Sequence, residues 1–438
     1  MHRFPSCCWF LLAAALYVSV GGCATPTTQL AAPPIVAAPP TPQPAAPVES
    51  VIKPAELEPL LEAQPLPQVE VQPLTLDEPL EQSPDASPAA HIALLLPLKS
   101  TTFERAADAV RQGFFAAASS QQQTLPIRVY GSIDESQDIV ALYKIALANG
   151  AVAVAGPLTR DGVSALADYP NIEVPTLALN IVENEVADKL YFFGLSAEAE
   201  ARQIAQLATA AKLHYATIIS TGTALSKRLS MAFADEWTSL GGSVTEEILY
   251  KNDPAALALL PTVAGEDAPE SAQQSDPWSD DADPDFIPPP TIAPGNMVFL
   301  AADVEKARVI RPYLNAALPI YATSQLFNGN ADTLVNYDLN DIRFVGMPWL
   351  LQPDHPAVMI YPRANPALEP DRERLYALGV DAFRLLNIML SSSYRTALPL
   401  DGVTGRIHLR NKQFQRDAIP AQIKQGRSQV IETAGKNH

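Results

Sequence analysis

Cys23 has the most defined chemistry in this 438-residue chain. It follows Val20-Gly21-Gly22 at the end of an apolar run that starts at Trp9 and is preceded by Arg3. The run is too short to span a bilayer comfortably as a mature helix, so the N-terminal stretch reads as a secretory signal peptide. Cys7 and Cys8 lie inside that signal and leave with it. The mature chain then keeps one thiol, Cys23. No disulfide can form, and no thiol remains within a fold to act as a nucleophile.

The other reactive side chains form no recognisable constellation. His91, His214, His355 and His408 have no metal-ligand spacing. There is no G-x-S-x-G elbow, no H-E-x-x-H, no P-loop and no G-x-G-x-x-G. Glu246 and Glu247 are adjacent on a strand pattern, so their side chains point to opposite faces. The acidic run from Asp280 to Asp285 lacks the glycine and terminal Glu of a calcium loop and reads as a solvated charge run. The net charge of -18 argues against a nucleic-acid partner. The expectation is no catalytic residue, no metal, no cofactor and no enzyme.

What must be positioned is therefore a binding surface, and the elements that carry it begin at His91. Residues 91–98 form a continuous apolar run ended by Pro97, the pattern of a strand buried on both faces. Phe103, Ala107, Val110 and Phe114 then fall on one helical face. Strand-like runs recur at 126–130, 151–157 and 175–179, with a helical pattern at 139–146 between the first two. The alternation restarts after 190–194: helix 197–212, strand 216–220, helix 224–240, strand 243–250, then strands at 297–300 and 320–323. This predicts an α/β fold of parallel sheets flanked by helices, in two lobes. Lobe 1 is expected to take residues 91–196 and 327–390, and lobe 2 residues 197–326 with part of 391–438.

Two segments look different. Residues 23–90 hold 16 prolines, nine acidic residues and one lysine, Lys53. Such a chain cannot bury enough surface to offset its entropy, and reads as a disordered Pro-rich tether. Residues 261–295 hold eight acidic residues and no Lys or Arg, and read as a disordered insertion.

In an open α/β sheet, ligands sit beyond the carboxyl ends of the strands. Small polar residues gather there: Lys99, Ser100 and Thr101; Pro157 and Thr159; Asn180; Thr221 and Thr223; Thr323 and Ser324. These are the candidate cleft-lining residues. Their hydroxyls and the adjacent helix N-termini could hold a polar or anionic group, or could simply cap helices.

The Val20-Gly21-Gly22-Cys23 context resembles the lipobox of bacterial lipoproteins. The resemblance implies cleavage before Cys23 and lipidation of its thiol, and Ala24 in place of Asp implies sorting to the outer membrane. From 92–98 the chain resembles the start of a type I periplasmic-binding-protein fold. The segments 155–158, 174–180, 193–196, 318–324, 347–351, 374–382 and 402–406 together are similar to the C-terminal domain of LpoA-type penicillin-binding protein activators, over about 91–427. That resemblance implies a lipid-anchored outer-membrane protein on the periplasmic side. Its partner would be a class A penicillin-binding protein, a bifunctional peptidoglycan synthase, which it would regulate without being an enzyme. Better-known members carry a helical-repeat domain where this chain has its tether. A solute receptor for an amino-acid-like ligand is the alternative. It would need an acid in the cleft for the ligand's ammonium, and the sequence offers no convincing one.

Overall fold

The computed structural model describes residues 88–121, 125–182, 187–253, 295–329, 333–391 and 397–431. The expected signal peptide, Cys23, nearly all of the tether and all but the last residue of the acidic insertion lie outside the described residues.

The first sheet opens with β1 (His91–Leu96), β2 (Ile127–Gly131), β3 (Ala151–Ala155), β4 (Thr176–Ala178) and β5 (Leu190–Phe193). The second holds β6 (Tyr215–Ser220), β7 (Ser243–Leu249), β8 (Asn296–Ala301), β9 (Ile320–Ala322) and β10 (Arg343–Gly346). The chain then returns to the first sheet for β11 (Leu400–Asp401), β12 (Arg406–Arg410) and β13 (Gln413–Asp417). It ends in the second with β14 (Ile419–Lys424) and β15 (Arg427–Val430). The sheet orders are β11-β12-β13-β5-β4-β3-β1-β2 and β15-β14-β10-β9-β8-β6-β7. Strands β1 to β5 pair in parallel, as do β6 to β10; β13 joins β5 in parallel, and β11-β12-β13 and β10-β14-β15 pair antiparallel.

Every residue of β1 is buried, as a strand covered by helices on both faces must be. The covering helices of the first lobe are α1 (Glu104–Ser120), α2 (Glu135–Ala148) and α3 (Arg160–Ala167). Those of the second are α4 (Ala197–Ala210), α5 (Ala224–Ser239) and α6 (Val304–Ile310). Two single turns, α7 (Pro348–Leu351) and α8 (Pro356–Met359), lead to the long α9 (Pro370–Leu390).

Helix α9 packs back onto α1 in the first lobe, and glycine makes the contact possible. A Cβ on Gly113 would lie 1.9 Å from the carbonyl oxygen of Tyr376, and one on Gly379 would lie 2.1 Å from that of Val110. The two backbones therefore touch directly. Phe114 and Phe383 meet edge to face beside this crossing, with ring centroids 5.2 Å apart. In the second lobe Phe233 stacks on Phe299 at 4.2 Å and on Trp237 at 5.6 Å.

The lobe boundary expected at 327 falls later. Arg343 and Phe344 pair in parallel with Tyr321 and Ala322, and Phe327, Leu339 and Ile342 pack into the second-lobe core. The first lobe resumes at Met347, which packs with β1 and α9. A short apolar run such as 344–345 carries no mark of the sheet it joins; pairing partners decide that. The chain thus crosses between lobes three times: at 194–196, near Met347, and at Ala418, the single residue between β13 and β14.

Candidate functional site

The loops named from the sequence follow the carboxyl ends of the parallel strands. After β3, the side chain of Thr159 accepts a bond from the amide of Gly162 at 3.1 Å and caps α3. Asn180, just beyond β4, donates from Nδ2 to the carbonyl of Leu158 at 3.1 Å and accepts from the amide of Ile181. Pro157, Thr159 and Asn180 are therefore brought together around Leu158, with Pro157 buried. After β1, Ser100 receives a long bond from the amide of Phe103 at 3.4 Å, and the side chains of Lys99 and Thr101 are exposed.

A carboxylate already sits in this loop. Glu135, the first residue of α2, is 2 % exposed. Its Oε2 accepts from the amide of Thr159 at 2.6 Å, and the carboxyl accepts from the amide of Leu158 at 3.1 Å. Asp134 caps α2 through the amide of Ser136 and so fixes where Glu135 starts. Burial pushes the Glu135 carboxyl above its ordinary pKa of 4.5, against the lowering effect of the Thr159 and Leu158 bonds; the negative charge of Asp138 adds to the rise.

The second lobe repeats the arrangement. Thr223 caps α5 through the amide of Ser226 at 3.1 Å. The amide of Thr221 donates to Ser226 Oγ at 2.9 Å, and that hydroxyl donates to the carbonyl of Ala301 at 2.7 Å. Thr323 and Ser324, expected to line the cleft, are buried instead. Thr323 Oγ1 has no hydrogen-bond partner among the described residues. The amide of Ser324 donates to Oε2 of Glu200 at 2.9 Å. Glu200, in the first turn of α4, is 4 % exposed, and its Oε1 pairs with the guanidinium of Arg416 on β13. Arg374 of α9, 7 % exposed, donates to the carbonyls of Ser324 at 2.8 Å and Phe327 at 2.5 Å.

A third acid ties the rims together. Glu198 lies 2.7 Å from Arg228 of α5 and 3.6 Å from Arg160 at the start of α3. Its burial opposes ionisation, but the bond from Arg228 and the charges of Arg228 and Arg160 together hold its pKa below 4.5.

Thus Thr159 and Thr223 cap helices, and the amides of Leu158, Thr159 and Ser324 are bonded to the protein's own carboxylates. Sequence reading missed Glu135, Glu200, Arg374 and Arg416. Glu135 and Glu200 look like ordinary first-turn acids that favour a helix N-terminus. Nothing in local spacing shows that they reach loops 24 and 124 residues away. Trp349 packs in the first-lobe core: it is fully buried, donates to Glu373 at 2.5 Å and is covered by Arg363. No group of three or more metal-ligating residues occurs among the described residues, and no helix there is long and apolar enough to cross a membrane.

Two parallel α/β lobes, three crossings and helix N-termini at the carboxyl ends of both sheets define the type I periplasmic-binding-protein class of fold. Within that class, the chain belongs to the family described as "LppC putative lipoprotein", whose model matches residues 80–426. Among relatives, the penicillin-binding protein activator LpoA of Yersinia pseudotuberculosis is 27 % identical over 379 residues, 72 % of this chain and 57 % of that protein. The protein of the same name from Photobacterium profundum is 25 % identical, over 74 % of this chain and 54 % of its own length. The chain thus spans little more than half of these relatives. Among solved structures, a "putative branched-chain amino acid ABC transporter" from Chromobacterium violaceum is 36 % identical, with a TM-score of 0.60, covering 76 % of this chain and all of the other. The C-domain of Haemophilus influenzae LpoA, described as a regulator of PBP1A, is 24 % identical with a TM-score of 0.60, over 78 % of this chain and all of that domain. It shares the fold.

Proposed function

We propose that this protein is a lipid-anchored activator of a class A penicillin-binding protein, held at the periplasmic face of the outer membrane through Cys23. It regulates peptidoglycan synthesis by contact and is not itself an enzyme. The observation that carries this reading is that the loop amides beyond the carboxyl ends of β3 and β9 are already taken. A receptor for an amino-acid-like solute offers loop amides and hydroxyls to the ligand's carboxylate. Here Glu135 takes the amides of Leu158 and Thr159, and Glu200 takes that of Ser324. A free carboxylate would have to displace a buried one. The names of the Yersinia and Photobacterium relatives point the same way.

The solute-receptor reading rests on the description of the Chromobacterium protein. The occupied amides weigh against carrying it over to this chain. The test is direct binding. The full-length lipoprotein in detergent should capture a class A synthase from the same cell, with dissociation unaffected by a mixture of free amino acids. Failure to capture any class A synthase, or release of a captured one by an amino acid, overturns the reading.

A further inference from the structure

In a two-lobed fold, opening and closing is carried by a few crossing residues that absorb large changes in φ and ψ. In this chain those residues are tied down. Ala418 is the single residue between the two sheets on the third crossing. The side-chain amide of Gln203 in α4 holds both of its polar groups: Nε2 donates to the Ala418 carbonyl at 2.8 Å, and Oε1 accepts from the Ala418 amide at 3.0 Å. Any rotation at Ala418 breaks at least one of them.

The flanking positions are held too. Arg416, two residues before Ala418, is bonded to Glu200 of the second lobe and donates to the carbonyl of Thr404 at 3.2 Å. Thr404 is in turn fixed by the buried Asp381 of α9, through its amide at 2.8 Å and its hydroxyl at 2.7 Å. Away from the crossings, Arg374 of α9 in the first lobe forks onto the second-lobe carbonyls of Ser324 and Phe327. Glu200 joins these two sets, since its other oxygen holds the amide of Ser324. On the first crossing, Ser196 caps α4 through the amide of Ala199 at 3.1 Å, so Glu200 and Gln203 project from a helix anchored at the crossing itself.

We infer that Gln203, Glu200, Arg416 and Arg374 form an interlobe brace that fixes the two lobes in one orientation, so the protein works as a rigid body and not as a clam that closes on a ligand. A charge pair this buried is costly to separate one partner at a time, because the other is left uncompensated. A planar Gln amide clamping a one-residue crossing adds a directional constraint that simple burial does not. The inference does not depend on which protein the surface contacts.

Native-state amide exchange on the unaltered protein tests it. If the lobes are braced, the Ala418 and Ser324 amides exchange as slowly as those of the central strands β1 and β8, because only global unfolding frees them. Gln203→Ala should speed exchange at Ala418 by roughly tenfold, and Glu200→Gln should do the same at Ser324, as loss of one hydrogen bond near charge allows. Spin labels on α2 and α5 should report one narrow interlobe distance in the unaltered protein and a broader one in Gln203→Ala. Exchange of Ala418 and Ser324 at loop-like rates in the unaltered protein, with the central strands still protected, overturns the inference even if no variant folds. So does a broad interlobe distance before any substitution.

Discussion

The Glu135 carboxylate oxygen lies 2.6 Å from the amide nitrogen of Thr159, across 24 residues of sequence and in the loop beyond the carboxyl end of β3. The loop after β3 is thereby satisfied from within the chain. Truncating Glu135 should show how much depends on it. Glu135→Ala leaves the amides of Leu158 and Thr159 buried without their acceptor, at a cost of about 1–3 kcal/mol for each group left unmade. Formate or acetate should raise the melting temperature of this variant and leave the unaltered protein unmoved. Equal response of the two proteins would mean that the loop does not recognise a carboxylate.

The two perturbed acids should give opposite pH signatures. Glu135 has its folded-state pKa raised above 4.5, so its contribution is complete below pH 4.5 and is lost as pH rises through the folded value. Glu198 has its pKa lowered, so its contribution is present above pH 4.5 and is lost as pH falls through the folded value. Urea midpoints across the acid-to-neutral range should therefore flatten on the neutral side in Glu135→Gln and on the acid side in Glu198→Gln. The reverse assignment would contradict the burial argument for Glu135 and the arginine pairing of Glu198.

Gly113→Ala and Gly379→Ala should each destabilise the first lobe by about 1–3 kcal/mol or more, the range for forcing atoms into a packed interior. Each new methyl collides with a backbone carbonyl of the facing helix, and no side-chain rotation relieves that. Denaturant unfolding measures it. An alanine at either position with unchanged stability would show that α1 and α9 separate easily.

Much of this architecture is legible from residue pattern. The runs at 91–98 and 151–157 are continuous because β1 and β3 are covered on both faces, and Thr159, Ser196 and Thr223 sit where N-caps belong. Long-range choices are not legible. The pattern at 343–346 is equally apolar whether it joins β9 or β5. The strands after 400 alternate weakly: Arg406 and His408 share β12 with the buried Ile407, and Arg416 lies near Phe414 on β13. The site followed the same division. Local capping by Thr159 is visible in sequence, whereas the reach of Glu135, Glu200 and Arg374 depends on which loops the sheets bring together.

Cys23 lies outside the described residues, and its role is tested in cells. Cys23→Ala should remain unprocessed or be released as soluble protein. Normal outer-membrane fractionation of that variant would contradict lipid anchoring at this position.

The protein is expected to act by contact and not through a small ligand. The decisive measurement adds the purified full-length protein to a class A penicillin-binding protein from the same cell in a glycan-polymerisation assay, with thermal unfolding followed in parallel against the free amino acids. The predicted result is a raised polymerisation rate with no amino acid present and no strong thermal shift from any of them. A receptor would instead gain about 2.7 kcal/mol of stability at a hundredfold excess of its ligand over the dissociation constant. A shift of that size from one amino acid, with no stimulation of any class A synthase from that cell, would contradict the account.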